Sequence, residues 1–509
     1  MKSKFGVLIR LIVIMGFLFS LIGFGGKPVH AEITECYWNG DISTDWYDMD
    51  NWSGCLDASN NPKVPDGTDD VIIPAYTTYY PVLNIYQDVI SINTLTINEL
   101  AEITIDQQIT ISANSFDNHG TITIEEVNGH SLRIQAPFNN DSTVDFSPTA
   151  PLILYMDGEH TGSFSGEQLS FNHSDSTPRE NNFLSGSSIS VYRLYLGRNH
   201  TVNIDGEFSC TENILVSEGS TVTISTAFIN QMCTILDRPG EVILKLAEGT
   251  PYNPGETKQI VENESLTGIG TIQTNLVNAG TVSPGESPGV ITVDGHYTQE
   301  STGVLEIELG GTTTGTGYDQ LVVTGDADLN NALKVTLIDS FVPVLDNSFT
   351  VMTFNNLNGQ FTERNLPELG PGLGWDLSYN SQSIVLTVVE AGSIAGTVTY
   401  DGDEGFTPIT VGLFLDLNGP PDFKLIVESV TGGYDYDFEG VPLGTYYLTA
   451  LMDLNGNQQP DRNEPYANYD GNGDGTPDPI ILSAGTPDYM DIDFILDDPN
   501  LIFLPLILR

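Results

Sequence analysis

Apolar and polar residues alternate over short stretches of this chain, and helical periodicity is almost absent. Stretches such as Ile103-Thr104-Ile105 and Ile122-Thr123-Ile124 place every second side chain on one face, which is the spacing of a half-buried β-strand. Beyond residue 31 no sustained run of apolar residues at helical spacing occurs. The whole chain contains 51 Gly and 28 Pro, and those beyond residue 31 separate the alternating stretches. The pattern predicts an all-β protein.

One phrase recurs between residues 92 and 300. Residues 97–105 (INELAEITI) align with residues 116–124 (FDNHGTITI), 19 positions later, and these align with residues 138–146 (FNNDSTVDF) after 22 more. Residues 194–204 match residues 214–224 at a spacing of 20. A strand-and-turn unit with this period is typical of a parallel β-helix, whose coils must stack because a single coil cannot bury its inward face.

The repeats therefore predict a right-handed parallel β-helix over residues 91–300. We expect Ile105, Ile124 and Phe146 to form an inward ladder, with Thr and Ser on the outside. A β-sandwich would also alternate, but it would not keep one phrase at a fixed spacing.

The first 31 residues have the plan of a secretory signal peptide. Lys2, Lys4 and Arg10 precede the apolar residues 11–24, and the small-residue site Val29-His30-Ala31 follows. The apolar run is shorter than the roughly 20 residues of a membrane-spanning helix. We expect cleavage near Ala31, a secreted or cell-surface protein, and no transmembrane span in the mature chain.

The net charge limits the kinds of partner that this chain can bind. The full chain carries −51, and loss of the signal, which holds four basic residues and no acidic one, brings the mature chain to −55. Such a field repels phosphate backbones, so we expect no nucleic-acid partner. It suits a solvated exterior, divalent cations or a saline medium.

The four cysteines form two local pairs, Cys36 with Cys55 and Cys210 with Cys233. In an oxidising compartment, even numbers of locally paired cysteines indicate disulfide bonds. We expect both pairs to be bonded.

Residues 32–90 form a module rich in tryptophan ahead of the repeats. Trp38, Trp46 and Trp52 precede the strand-like residues 69–74 (DDVIIP), an order that resembles the N-terminal module of many bacterial surface β-helix proteins. Two interpretations stay open. The indoles form an apolar cap core pinned by Cys36–Cys55, or they form a platform for stacking on sugars.

Residues 268–309 carry the most specific resemblance. Asn278-Ala279-Gly280-Thr281-Val282, residues 284–289 (PGESPG) and residues 303–309 (GVLEIEL) resemble the passenger-associated region of autotransporter-type surface proteins. That resemblance implies the closing coils of a right-handed β-helix, so residues 301–391 are expected to be C-terminal coils or a β-rich cap. No membrane β-barrel pattern follows, so autotransport itself is not implied.

Residues 392–498 open with Gly392-Ser393-Ile394-Ala395-Gly396-Thr397-Val398, and residues 438–448 (FEGVPLGTYYL) follow. The two phrases are similar to the prealbumin-like β-sandwich of carboxypeptidase regulatory domains and surface proteins. The resemblance implies a β-sandwich that acts as a stalk or spacer. The apolar residues 499–509 are either a last β-strand or a sorting tail.

Two loops of this domain carry oxygen donors at the spacing of a calcium loop. The first loop, residues 453–464, has donors at positions 1, 3, 5, 7, 9 and 12, and the donor at position 7 is a backbone carbonyl. The loop lacks the glycine that an EF-hand has at position 6. The second resembles the thrombospondin type 3 repeats. We expect Ca²⁺ to be bound by Asp453, Asn455, Asn457, Gln459, Asp461, Glu464, Asp470, Asn472, Asp474, Thr476 and Asp478.

These features predict a structural or adhesive protein whose partner is an extracellular polysaccharide or a cell-surface receptor. The alternative is a polysaccharide lyase or hydrolase, because parallel β-helices also carry such enzymes. The phrases Thr68-Asp69-Asp70 and Asn118-His119-Gly120 echo hydrolases, but Asp69 and Asp70 precede the repeats and His119 is expected at a solvated turn.

Overall fold

The computed structural model describes most of the chain after residue 33. The described residues are 34–86, 88–125, 131–146, 151–172, 177–225, 229–231, 234–235, 240–246, 248–249, 251–285, 287–400, 408–417, 421–428, 433–456 and 464–496. The predicted signal peptide, residues 499–509 and Cys233 lie outside them. The chain divides into two compact units, residues 1–170 and 171–509.

The first unit consists of short strands and one 3₁₀ turn, Met49–Asn51. Its strands are β1 (Thr34–Trp38), β2 (Trp52–Ser53), β3 (Asp69–Ile73), β4 (Val82–Leu83), β5 (Asp88–Ser91), β6 (Thr94–Ile97), β7 (Glu102–Ile105), β8 (Ile109–Ser112), β9 (Ser115–Asn118), β10 (Thr121–Ile124), β11 (Leu132–Gln135), β12 (Phe138–Asn140), β13 (Thr143–Phe146), β14 (Pro151–Leu154), β15 (Gly158–His160) and β16 (Ser163–Phe171), in which the second unit begins.

Each coil of the first unit contributes three strands, and each strand stacks in parallel on its equivalent in the next coil. The three stacks are β3-β6-β9-β12-β15, β4-β7-β10-β13 and β5-β8-β11-β14. The parallel solenoid predicted from the repeats is confirmed. It begins with β3, which is earlier than residue 91, and β1 also pairs with β3 in parallel.

The inward ladder has the predicted residues. Ile105 pairs with Ile124 and Ile124 with Phe146, and all three side chains are buried. On a second face, the rings of Phe116 and Phe138 pack with centroids 4.8 Å apart. Because side chains alternate across a strand, the intervening threonines point outward.

One part of the sequence alignment is wrong by two residues. Leu95, and not Ile97, lies opposite Phe116, while Ile103 lies opposite Ile122 as expected. The turn between β6 and β7 is two residues longer than the turn between β9 and β10, and Leu100 adopts a left-handed conformation in it. The longer turn absorbs the offset, so the following strand returns to register.

The tryptophan module is a cap core. The Trp52 ring packs edge-on against Trp38 and Trp46 at centroid distances of 5.0 and 4.7 Å, and all three side chains are buried. The Cys36–Cys55 disulfide is present as predicted. Buried rings are not accessible to a sugar, so the structure supports the cap and not the platform. The predicted Cys210–Cys233 bond involves a residue outside the described ones.

The second unit contains a further solenoid. Its strands are β17 (Arg179–Phe183), β18 (Ser188–Leu196), β19 (His200–Ile204), β20 (Glu207–Val216), β21 (Thr221–Ser225), β22 (Ile229–Gln231), β23 (Thr234–Ile235), β24 (Glu241–Leu246), β25 (Lys258–Ile260), β26 (Glu264–Gly268), β27 (Gly270–Ile272), β28 (Leu276–Asn278), β29 (Thr281–Val282), β30 (Val290–Val293), β31 (Tyr297–Gln299), β32 (Val304–Leu309), β33 (Gln320–Val323), β34 (Ala327–Leu329), β35 (Ala332–Leu337), β36 (Ser348–Thr353), β37 (Leu357–Gly359), β38 (Glu363–Asn365) and β39 (Leu373–Tyr379).

Most of these strands again form three parallel stacks, β17-β19-β21-β24-β26-β29-β32-β35-β38, β25-β28-β31-β34-β37 and β27-β30-β33-β36. Strand β20 pairs in parallel with β18, β22 and β23, whereas β39 is antiparallel to the strand that follows it. Leu194 lies opposite Ile214 and Ile204 opposite Ile224, so the predicted spacing of 20 is confirmed. The parallel stacking of coils continues beyond residue 301 as far as β38.

A buried carboxylate holds the turn that contains Gly289. Asp319 accepts hydrogen bonds from the backbone N–H groups of Gly289 and Glu308, both at 2.7 Å. A Cβ at Gly289 would lie 2.5 Å from the Gly285 Cα, so this close turn requires glycine. Burial raises the pKa of Asp319 to about 7.

The C-terminal domain consists of two sheets around one core. Its strands are β40 (Ser383–Thr399), β41 (Ile409–Phe414), β42 (Phe423–Val427), β43 (Gly433–Pro442), β44 (Thr445–Leu451), β45 (Tyr466–Asn468), β46 (Ile480–Ile481), β47 (Asp488–Tyr489) and β48 (Phe494–Ile495). One sheet orders β42-β41-β44-β45, and β40 pairs with β43, β47 and β48 in the other.

Val398, Val411, Tyr434 and Leu448, which come from both sheets, share a single buried cluster. This is the layer arrangement of a β-sandwich. Strand β40 also pairs with β36 and β39, so one continuous strand joins the last coils to the sandwich.

The stacking of turns gives a first testable prediction. A Cβ at Gly120 would lie 2.4 Å from the Ala101 carbonyl oxygen of the coil before it, whereas a Cβ at Gly67 meets no atom within 4 Å. We expect Gly120→Ala to lower the free energy of unfolding by about 1–3 kcal/mol. Gly67→Ala, the matched control, should stay within about 0.5 kcal/mol of wild type. Urea denaturation measures both, and equal effects would contradict the stacked-turn geometry.

The cap disulfide gives a second prediction. It closes a 19-residue separation, so replacing Cys36 and Cys55 together by alanine should cost about 3 kcal/mol of cap stability. Tryptophan fluorescence during urea unfolding, in a Trp375→Phe background, reports on the three cap indoles alone. An unchanged urea midpoint would show that the bond does not stabilise the cap.

Candidate metal-binding loops

Both predicted loops lie in the C-terminal domain, on either side of the short strand β45. The first connects β44 to β45, and the second connects β45 to β46. Strand β44 pairs antiparallel with both β45 and β46, so both loops begin and end on one sheet. The sheet thereby fixes where each loop starts and stops.

The first loop is described at its two ends. Asp453 and Asn455 lie at its start and Glu464 at its end, whereas Asn457, Gln459 and Asp461 lie outside the described residues. The Asp453 carboxylate accepts a hydrogen bond from the Gly456 N–H at 2.7 Å. Gly456 has a left-handed backbone, with φ of 78°.

Glu464, at position 12, is buried and turns back onto the start of the loop. One of its carboxylate oxygens accepts the N–H groups of Leu454 and Asn455, at 2.9 and 3.1 Å. The first and last predicted ligands therefore face the same turn. The donor spacing in the sequence did not reveal that Glu464 is buried.

The second loop is described completely. Asp470 accepts from the N–H groups of Gly473 and Gly475, both at 2.7 Å, one on each carboxylate oxygen. Asp478 accepts from the backbone N–H and the side-chain amide of Asn472, at 2.9 and 3.0 Å. Asp470 and Asp478 thus approach the loop from its two ends.

The remaining predicted ligands of the second loop are exposed. Asn472 accepts from the Asp474 N–H at 2.9 Å. Asp474 accepts from both the hydroxyl and the backbone N–H of Thr476, and these two bonds hold the pKa of Asp474 below its usual value. Asp474 is therefore an anion at neutral pH.

Both loops open with the same four-residue geometry. Asp453-Leu454-Asn455-Gly456 and Asp470-Gly471-Asn472-Gly473 each bond the aspartate carboxylate to the glycine N–H at 2.7 Å, and both glycines are left-handed. An ordinary residue would be strained at that backbone angle. The first loop lacks the position-6 glycine of an EF-hand, but the repeated D-x-N-G phrase in the sequence marks the turn that the two loops share.

The donor chemistry of these loops fits a hard divalent cation. A carboxylate offers about four lone-pair sites, so an oxygen that accepts one N–H still has capacity for a metal. Calcium takes six to eight oxygen ligands from carboxylates, amides, hydroxyls and carbonyls. Within the described stretches, the carboxylates of neither loop form a group of three within 4.8 Å of one another.

One group of potential ligands does meet that distance in the described part of the chain, namely Cys36, Cys55 and Asp69. The two sulfurs are bonded to each other, and Asp69 forms an ion pair with Lys63 at 2.6 Å. Asp69 Oδ2 is paired in this way, whereas Asp69 Oδ1 is buried without a hydrogen-bond partner. Because metals bind cysteine as the thiolate and not as a disulfide, the group is a structural staple and not a metal site.

A hydrolase or lyase site would require facing carboxylates on neighbouring strands with a basic residue beside them. Glu35 and Asp70 do lie opposite each other. Asp70 accepts from Asn93 and Thr94, and nearby Lys63 pairs with Asp66 and Asp69. Since that lysine is held elsewhere, this pair lacks the expected basic partner.

No protein-family model matches this chain, and no curated protein is significantly similar to it. Among the residues that the structure describes, no helix is long and apolar enough to cross a membrane.

Glu464 generates a third prediction, which applies without any metal. Glu464→Ala removes the acceptor of two backbone N–H groups, so the C-terminal domain should lose about 1–3 kcal/mol of stability in chelator. Glu464→Gln keeps a carbonyl oxygen at that place and should lose clearly less. Thermal unfolding of both variants in chelator is the measurement. Equal losses would mean that the two hydrogen bonds do not hold the loop.

Proposed function

We propose that this chain is a secreted or cell-surface structural and adhesive protein of a bacterium, and that its C-terminal domain binds Ca²⁺. The signal-like N-terminus supports export, and the solenoid supplies an extended scaffold. The finer relationships, to the autotransporter passenger-associated region and to prealbumin-like regulatory modules, belong to this proposal and rest on sequence phrases alone.

The observation that carries the calcium proposal is the repeated D-x-N-G turn. Two loops of the same domain place an aspartate carboxylate over a left-handed glycine in the same way. A solvated acidic turn needs no such repetition. Two adjacent loops with the same donor spacing and the same opening geometry favour a common ligand, and oxygen donors select calcium.

Electrostatics gives calcium a structural task. Residues 453–478 contain six acidic residues and one basic residue, Arg462, so their carboxylates repel one another. A divalent cation offsets that repulsion and gives each loop a fixed centre. The solenoid has no such need because stacked apolar ladders and strand hydrogen bonds hold it together.

Calorimetry of the full chain tests the proposal. Sites of extracellular modules commonly have dissociation constants of about 10⁻⁴–10⁻³ M, and a tenfold excess of calcium adds about 1.4 kcal/mol per site. We expect millimolar calcium to raise the unfolding transition of the C-terminal domain and to leave the solenoid transition nearly unchanged.

Substitutions in the loops show which residues produce the calcium-dependent rise of this transition. Glu464→Gln and Asp470→Asn should each remove part of the calcium-dependent rise. Asp437→Asn removes the same charge from an exposed position on β43 and serves as the matched control. A rise that is absent, or that Asp437→Asn lowers as much as Asp470→Asn, would refute the assignment.

A further inference from the structure

An open groove of about 700 Å³ runs across the stacked turns of the first unit. It is lined by Ala75, Asn98, Glu99, His119, Asp141 and Ser142. These residues come from the turns of successive coils. Taken alone, each turn is an ordinary exposed loop. Stacking assembles them into one row of polar side chains.

The floor of the groove is rigid. The His119 N–H bonds to the Ile97 carbonyl at 2.8 Å, and the Asp141 N–H bonds to the Asn118 carbonyl at 3.0 Å. Beneath the turns, the buried side chains of Asn118 and Asn140 bond to each other at 2.7 Å. Successive turns are therefore about 4.8 Å apart, so the row repeats at a fixed spacing along the groove.

His119 has a fixed orientation in this row. Its Nδ1 lies 2.7 Å from an Asp141 carboxylate oxygen, and both side chains remain about half exposed. The bond holds the ring in place and leaves Nε2 on its other side. Glu99, His119 and Asp141 do not form a metal-like group within 4.8 Å in the described part of the chain, so their donors are spread along the groove. Such an arrangement fits an extended ligand with many hydroxyl groups.

An aromatic loop borders the groove. Tyr76, next to the lining residue Ala75, is 85 % exposed, and Leu100, next to Glu99, is 60 % exposed. The Tyr76 N–H bonds to the Tyr80 hydroxyl at 3.0 Å, and that hydroxyl donates to the Leu100 carbonyl at 2.9 Å. The Trp38 indole donates to the Tyr79 carbonyl, which ties the loop to the cap core.

The rim is also held in an unusual conformation. Tyr76 and Leu100 both have left-handed backbones, with φ of 63° and 64°. Non-glycine residues adopt that conformation only where the surrounding structure enforces it, and such positions cluster at functional sites. Here the enforced conformation keeps two large apolar side chains in solvent beside a polar groove.

We propose that this groove binds a neutral extracellular polysaccharide. The Tyr76 ring stacks on a pyranose ring, and Asn98, Glu99, His119 and Asp141 form hydrogen bonds with sugar hydroxyls. The two groove carboxylates and the net charge of −51 disfavour an anionic polymer. The inference supplies a partner for the adhesive part of the proposed function, and it does not depend on the calcium loops.

Affinity electrophoresis of the full-length protein through gels that contain xyloglucan, galactomannan or mixed-linkage β-glucan tests this proposal. We expect at least one of these neutral polymers to retard the protein and polygalacturonate to have no effect. Retardation by none of the three, or by polygalacturonate alone, would overturn the proposal.

Variants assign the binding to the groove. Tyr76→Ala and His119→Ala should each weaken retardation about tenfold, while Tyr192→Ala, an exposed tyrosine of the second unit, should leave it unchanged. Unchanged melting temperatures would show that the variants fold. Retardation that Tyr76→Ala and His119→Ala do not alter would place binding elsewhere and overturn the proposal.

The calcium proposal and the polysaccharide proposal can be refuted independently of each other. Because the groove lies in the first unit, retardation should persist in chelator. Loss of retardation in chelator would contradict the groove proposal. The calorimetric test of calcium binding by the C-terminal domain is independent of this result.

Discussion

Parallel pairing between the strands of successive coils is the interaction on which the other features of this protein depend. It separates successive coils by the distance between two paired strands, and it places Ile105, Ile124 and Phe146 in one buried column. The same pairing brings turns so close that Gly120 can have no side chain. It also converts isolated turn residues into the continuous row that lines the groove. A coil has none of these properties alone, because its inward face is buried only by its neighbours.

Charge is the second constraint, because the chain has 68 acidic and only 17 basic residues. Two of the few lysines neutralise buried carboxylates, Lys63 at Asp69 and Lys258 at Glu264, at 2.6 and 2.8 Å. Lys63 also lowers the pKa of Asp66 to about 2. Two of the few basic side chains thus neutralise carboxylates of the interior, and under the calcium proposal the acidic turns of the C-terminal domain take their cation from solution.

Much of the fold could be predicted because both the alternation of apolar and polar residues and the length of a coil repeat along the chain. Alternation gave the strands, and the spacing of 20 between Leu194 and Ile214 gave the coil length. The pairing of Ile97 with Phe116 was wrong, because spacing alone does not reveal a turn that is two residues longer in one coil. The groove was missed for a related reason. His119 is an ordinary exposed turn residue in the sequence, and only stacking places Asp141 beside it. Likewise, donor spacing identified the loops, but the burial of Glu464 follows from how β44 and β45 pair.

A count of bound ions decides whether the two loops of the C-terminal domain bind calcium. Equilibrium dialysis of the full chain against calcium should be done in 0.15 M salt with excess magnesium, since diffuse attraction to a highly acidic protein is screened there. The account predicts two saturable sites per chain, and one site after Asp470→Asn. Binding that does not saturate, or a site number that Asp470→Asn leaves unchanged, would contradict it.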